Sequence, residues 1–234
     1  MAQRGSRATE QLLVIGAGGL GREVVEAVLA ANAHEPTWDV LGFLDDDAAL
    51  AGTLVGGLPV LGPVEALSEY PDARILLTVG SATSPSARPR LAARLRVAED
   101  RYATVIHPAA TLAASTQVGP GSVVLAGVVT TADVEIGAHV VLMPQVLLTH
   151  DDRVGDHATL AGGVRLAGGV RVEEGAYLGA GALVREYLTI GASSVVGMGA
   201  VVITDVPAGE VWAGCPARFL RTVDAPCDRS TSRR

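Results

Sequence analysis

The sequence predicts two domains in tandem, a small nucleotide-type α/β domain followed by an all-β parallel β-helix. Three observations carry this. Aliphatic residues recur every six positions through the second half of the chain. A Gly-x-Gly-x-x-Gly loop stands between a strand and a helix near the start. The composition joins 28 Gly to only 3% aromatic residues, a mix suited to a regular array of small aliphatic side chains.

Stepping by six from Ile106 to Val202 gives 17 positions, of which 16 are Ile, Leu or Val and one is Thr130. In the frame one residue later, only Leu125 and Ile203 belong to that set. A helix needs a period near 3.6 and a plain strand a period of 2. A period of six, with Gly often following the aliphatic residue as in Ile136-Gly137 and Val154-Gly155, fits a short strand plus a corner. Three such units make one triangular turn of a solenoid whose turns touch only their neighbours. Residues 18 apart then lie above one another, roughly 4.8 Å apart. A β-sandwich would not hold so strict a phase.

In the first half, Gln11–Ile15 reads as a strand, Gly16–Gly21 as the glycine loop and Arg22–Ala31 as an amphipathic helix. This is the context in which the glycines permit a tight turn and the helix N-terminus offers free N–H groups to a diphosphate. Trp38–Leu44 reads as a second strand, ending in Asp45-Asp46-Asp47, acids able to accept from a ribose or base. Arg74–Val79 reads as a third strand closed by Gly80-Ser81, Ser84–Arg90 as a loop, Leu91–Arg96 as a helix, and Tyr102–Ile106 as the strand leading into the coil. The unit is half a dinucleotide fold, so a mononucleotide half fits better than an NAD domain.

Composition removes several function classes. All 18 basic residues are Arg, which excludes a catalytic lysine and the lysine of a P-loop. A formal net charge of −7 speaks against nucleic acid or an anionic membrane as the main partner. Mean hydropathy is +0.36, yet the long charge-free stretch Ala103–Ala132 is broken by Pro108 and Pro120, and no spanning helix is expected. The start, Met1–Glu10, has no apolar signal core. Cys215 and Cys227 make neither a zinc pattern nor a disulfide framework, which fits a cytoplasmic protein.

The phased hexapeptides resemble the left-handed β-helix acyltransferases, and Gly214-Cys215-Pro216-Ala217-Arg218 resembles the family's closing signature. The order of the parts resembles more narrowly the sialic acid O-acetyltransferase and bacillosamine-type N-acetyltransferase group, in which a small Rossmann-like domain precedes the coil. The resemblance implies a nucleotide-sugar-binding domain over 11–103, a left-handed β-helix acyltransferase domain over 104–221, and a tail over 222–234 that reads as disordered. It implies a homotrimer and direct acetyl transfer from acetyl-CoA to a sugar, the first choice being a nucleotide-linked amino sugar. Gly18, Gly19 and Leu20 would face the nucleotide sugar, Asp45 and Asp46 the nucleoside, with Gly80 beside them.

Direct transfer needs a base near neutral pKa and an N–H for the oxyanion. Of the five histidines, His34 and His107 read as loop and junction residues. His150, followed by Asp151 and then by Val154-Gly155-Asp156, matches the family's catalytic histidine, with Asp151 as its orienting acid. Gly168, one turn below His150, is a candidate oxyanion donor. Thr159, Ala180 and Met198 match positions that contact CoA in the family. In Thr159 the chain departs from relatives that carry histidine there, and His157 lies on another face. His139 and His157 are 18 apart and should stack, but Gly175 follows them in the column, so no metal is expected. Two other functions stay open on these residues: O-acetylation of a free or glycan-linked sugar, and a non-catalytic nucleotide-binding β-helix scaffold. The His-Asp pair in phase with the coil argues against the scaffold.

Overall fold

A computed structural model describes residues 9–223. Residues 222 and 223, counted with the tail in the sequence reading, belong to the closing structure. Thr222 closes the last strand and the Val223 N–H donates to Gly209 O at 2.8 Å. Residues 224–234, including Cys227, lie outside the described residues.

The first sheet holds five strands. β1 (Glu10–Ile15) lies between β2 (Trp38–Leu44) and β5 (Arg74–Leu77), parallel to both. β3 (Leu54–Val55) and β4 (Leu58–Gly62) complete the order β3-β4-β2-β1-β5. The β3–β4 hairpin was not expected from the sequence, although its signal is there. Gly56 and Gly57 both have positive φ, 58° and 84°, and stand between apolar pairs, the chemistry of a two-residue hairpin turn.

Helix α1 (Gly19–His34) starts three residues earlier than expected, inside the glycine loop. The tight entry demands glycine. Gly16 has φ +111°, and a Cβ on Gly21 would stand 2.1 Å from the Gly16 carbonyl oxygen. Helix α2 (Ala87–Leu95) replaces the loop expected over Ser84–Arg90, because Pro89 falls in its first turn, where proline costs no hydrogen bond.

The second half is a left-handed parallel β-helix with three faces. Face I is built from Gln117–Val118, Glu135–Ile136, Arg153–Val154, Arg171–Val172 and Thr189–Ile190. Face II runs from Val105–Ile106 through Val123–Val124, Val141–Leu142, Thr159–Leu160, Tyr177–Leu178 and Val195–Val196. Face III runs from Val129–Thr130 through Leu147–Leu148, Arg165–Leu166 and Leu183–Val184 to Val201–Val202. Pairing within each face is parallel and in register at 18 residues, as in Glu135 with Arg153 and Val141 with Thr159. Glu210–Ala213 and Arg218–Thr222 extend face II and close its end, the Gly214–Ala217 segment turning between them.

The aliphatic column is the core from Val124 to Val202. Its polar member, Thr130, is buried with its hydroxyl 2.6 Å from that of Thr116 and accepting from the Ala113 N–H at 3.1 Å. The column opens at its start, where Ile106 is 40% exposed at the edge of face II.

The α/β domain packs on face II and on the corner between faces I and II. Val24, Ala27 and Val28 of α1 share one core with Val105, Val123, Leu125 and Val141. The six-residue phase turns Val123 and Val141 outward, yet neither is exposed. Helix α1 covers them. Val129, Leu147 and Leu183, on face III, keep part or much of their surface open.

Candidate active site

His150 and Asp151 sit on the corner between faces III and I. Asp151 adopts φ +62°, a left-handed conformation that Asp tolerates better than most residues. This turns its carboxylate toward the neighbouring ring, and His150 Nδ1 stands 2.8 Å from Asp151 Oδ2. Both side chains are exposed, 54% and 66%, so the pair forms an open ledge.

Gly168 lies directly below His150. A Cβ there would come within 2.3 Å of His150 Cε1 and Nε2, so only glycine leaves the ring its place. The next residue, Gly169 at φ +72°, is covered in the same way by the Tyr187 ring, whose Cδ1 would stand 2.6 Å from an added Cβ. The two rings approach the Gly168-Gly169 pair from the turns on either side of it.

Asp152 escaped the sequence reading. It occupies an inward position that elsewhere in the coil carries Val134, Val146, Ala158 or Val164, and it is fully buried. Its carboxylate accepts from the Thr149 N–H at 2.7 Å and the Val170 N–H at 2.8 Å. Burial pushes its carboxyl up to about 7, against the two N–H groups and His150, which pull it down. The signal was a charge in a column of small apolar residues.

The expected nucleotide positions gather at the C-terminal ends of β1, β2 and β5. A Cβ on Gly18 or Gly19 would meet nothing within 4 Å, and α1 has no side-chain N-cap, so no capping side chain takes up its first N–H groups. Leu20, half-buried, packs against the core under α1. Asp45 ties the loop down by accepting from the Ala17 N–H at 2.7 Å. Asp46 accepts from the Val64 N–H and pairs with Arg94 at 2.7 Å. Burial acts to raise its carboxyl, but these partners hold it below the usual range. Gly80 is exposed, and a Cβ on it would stand 3.4 Å from Arg88 Nη2.

Arg88, on α2, is a second residue that the sequence reading missed. It is 2% exposed and reaches from the α/β domain into the coil. Nη1 donates to the carbonyls of His139 and His157 at 3.0 and 3.1 Å, and Nη2 donates to Thr159 Oγ1 at 3.0 Å. Thr159, buried on face II, thus has its hydroxyl committed to Arg88. The His139 and His157 rings stack at 4.8 Å with planes 7° apart. Both Nδ1 atoms are buried without a hydrogen-bond partner. Burial pushes both histidines down, His139 to about 4, and the neighbouring Arg88 charge adds to this. Among the described residues no group of three or more His, Cys, Asp or Glu is placed to hold a metal ion.

Ala180 and Met198 lie on the corner between faces II and III, both exposed, Met198 at 77%. Within one chain they are separated from His150 by the whole width of face III.

A parallel β-helix with an exposed His-Asp pair over a corner glycine, joined to a glycine-loop domain, defines a hexapeptide-repeat acyltransferase. Residues 11–95 match the family described as the PglD N-terminal domain. Over 122 residues the chain is 35% identical to UDP-N-acetylbacillosamine N-acetyltransferase from Bacillus subtilis (strain 168). That match covers 50% of the chain and 52% of the relative, so it spans about half of the curated protein's length. The perosamine N-acetyltransferase PerB from Caulobacter crescentus, solved with CoA and GDP-perosamine, superposes with a TM-score of 0.79 at 33% identity, covering 91% of this chain and 98% of that one. The acetyltransferase domain of PglB from Neisseria gonorrhoeae FA1090, solved with acetyl coenzyme A, superposes with a TM-score of 0.79 at 31% identity, covering 91% and 100%. The chain belongs to this group of sugar N-acetyltransferases, in which a Rossmann-like domain precedes the left-handed β-helix.

Proposed function

We propose that this protein transfers the acetyl group of acetyl-CoA to the amino group of a nucleotide-linked sugar. The observation that carries the reading is the His150–Asp151 pair at 2.8 Å standing over Gly168. With Asp151 holding the proton on Nδ1, Nε2 of His150 is left as the base that takes the amine proton during attack on the thioester carbonyl. The backbone N–H of Gly168, which has no hydrogen-bond partner among the described residues, would receive the developing oxyanion. The tetrahedral intermediate then collapses with release of the CoA thiolate, and no covalent enzyme intermediate is required.

On this reading residues 11–103 hold the nucleotide sugar, with Gly18, Gly19 and Leu20 at the diphosphate and Asp45, Asp46 and Gly80 around the nucleoside. Residues 104–221 carry the acyl transfer. Ala180 and Met198 contact the CoA arm. A contact from Thr159 would require its bond to Arg88 to open.

A homotrimer completes the site. Face III carries the open apolar residues Val129, Leu147 and Leu183, and its two edges are the His150 corner and the Ala180–Met198 corner. Seating face III against a neighbour brings the base of one protomer beside the donor corner of the next, and a three-fold ring closes the association. Light scattering should give a mass of three 23.9 kDa chains. A single-chain mass with full activity would defeat this part. We place the protein in the cytoplasm, a reading supported by the absence of a cysteine framework in its sequence. Among the described residues no helix is long and apolar enough to cross a membrane.

The deciding experiment incubates the protein with acetyl-CoA and a panel of UDP-, GDP- and dTDP-linked amino sugars, with free thiol and product mass as readouts. An added acetyl group that resists hydroxylamine marks an amide. A hydroxylamine-labile product would point to O-acetylation, and absence of product across the panel would overturn the reading.

A further inference from the structure

Among the described residues Asp152 is the only acid that is buried. A carboxylate is a costly choice for an inward corner position, which elsewhere in the coil carries neutral side chains, most of them apolar and a few hydroxyls such as Ser122 and Ser194. What it does there is specific. Oδ2 receives the N–H of Thr149, the residue before His150, at 2.7 Å, and Oδ1 receives the N–H of Val170, which follows the Gly168-Gly169 pair, at 2.8 Å. One rigid planar group therefore spans two successive turns of the coil, the turn that carries the base and the turn that carries the oxyanion N–H. The bonds are short, and with the carboxyl ionised they are of the strong, charge-assisted kind.

At a corner remote from His150, a neutral hydroxyl plays the corresponding part. Ser122 Oγ accepts from the Val140 N–H at 2.9 Å and donates to Gly137 O at 2.7 Å. Holding two turns together thus does not of itself call for a charge.

We propose that Asp152 is a positioning residue for acetyl transfer, its carboxylate fixing the separation between the His150 ring and the Gly168 N–H. The inference rests on the roles of His150 and Gly168 proposed above. Base and oxyanion donor act on the same reacting carbonyl, and a misplacement of about 1 Å in such a constellation costs on the order of 10²-fold in rate.

The test compares Asp152→Asn and Asp152→Ser with Ser122→Ala in the full chain. Asn offers one carbonyl oxygen in place of two acceptors, so one N–H is abandoned, and Ser keeps a small polar group if the Asn variant does not fold. The expected result for the Asp152 variants is a fall in kcat of at least about tenfold. KM for acetyl-CoA and for the nucleotide sugar should stay within about twofold. Ser122→Ala should lower the urea midpoint and leave kcat within about twofold, because its two lost bonds lie away from the base. Folded Asp152 variants with kcat near wild type overturn the inference, as does a loss of kcat in Ser122→Ala equal to theirs. An active wild type with unaffected Asp152 variants overturns this inference alone. A wild type that acetylates no nucleotide amino sugar overturns the proposed function as well.

Discussion

The guanidinium of Arg88 ends 3.0 Å from the Thr159 hydroxyl, 71 residues further along the chain, and among the described residues no carboxylate pairs with it. The cation is held by backbone carbonyls of two successive coil turns and by one hydroxyl, with its Nε unpartnered. The two halves of the molecule are thus joined by a buried polar contact in addition to the core under α1.

Arg88→Met should therefore destabilise the protein by about 2 kcal/mol or more, since the carbonyls of His139 and His157 lose a charged donor in a site closed to water. Arg88→Lys should rescue little, because an ammonium cannot present the planar fork that reaches three acceptors. Urea unfolding measures both. A change below about 0.5 kcal/mol in Arg88→Met would show the contact to be dispensable.

His150→Ala should lower kcat by about 10²- to 10⁴-fold, the usual cost of a lost general base. The fold should be spared, since the ring is largely exposed and, among the described residues, bonded only to its neighbour Asp151. Asp151→Asn keeps a residue that tolerates φ +62° and should give a smaller loss, seen in kcat more than in KM. Steady-state kinetics with both substrates varied checks this, and a His150→Ala enzyme retaining half of wild-type kcat would remove His150 from the base role.

Gly168→Ala and Gly169→Ala should part company. Gly168 does not lie in the left-handed region, so an alanine there costs little backbone energy, but its Cβ occupies the place of the His150 ring. Activity should fall with stability changed by less than about 1 kcal/mol. Gly169 sits at φ +72°, so its alanine variant should lose about 1 kcal/mol or more of stability. Thermal unfolding beside kcat separates the two, and equal stability losses would refute the distinction.

His139 gives a pH dependence with a definite sign. Its folded pKa is pushed down to about 4 from an ordinary 6.5, first by burial, then by His157 and Arg88. The unfolded chain therefore takes up a proton before the folded one does, and the stability that neutral His139 supplies above 6.5 is lost as pH falls toward 4. Asp152 titrates across the same range in the opposite sense, so wild type alone does not isolate the effect. The comparison is with His139→Asn, which tolerates φ +56° and does not titrate. Wild type should lose stability relative to this variant between pH 6.5 and 4 in urea titrations. A difference independent of pH would contradict the assignment.

What could be read from the chain follows the range of each signal. The six-residue phase, the strand–glycine–helix entry and the His150–Asp151 pair are local patterns, and each appears in the structure where the spacing puts it. Periodicity also tells which side chains leave the coil, but not what meets them outside. Val123 and Val141 point out as the phase requires, yet α1, about a hundred residues upstream, covers them. Arg88 was invisible for the same reason. In sequence it is one arginine among several in a charged stretch, and only the docking of α2 onto the coil reveals its carbonyl partners. Asp152 was legible in principle, as an acid in an inward column, but its neighbour Asp151 draws attention because it continues the His-Asp motif.

The unbroken register of 18 makes the coil a ruler with fixed graduations. Removing one residue between His150 and Gly168 would carry every later side chain out of its column, swapping axis for corner down to Val202. Inserting a whole turn would keep every column intact and only slide the later corners along the axis by about 4.8 Å. Length changes in this molecule are therefore quantised. A lineage can move the donor corner relative to the base in whole-turn steps, and smaller adjustments fall to the side chains.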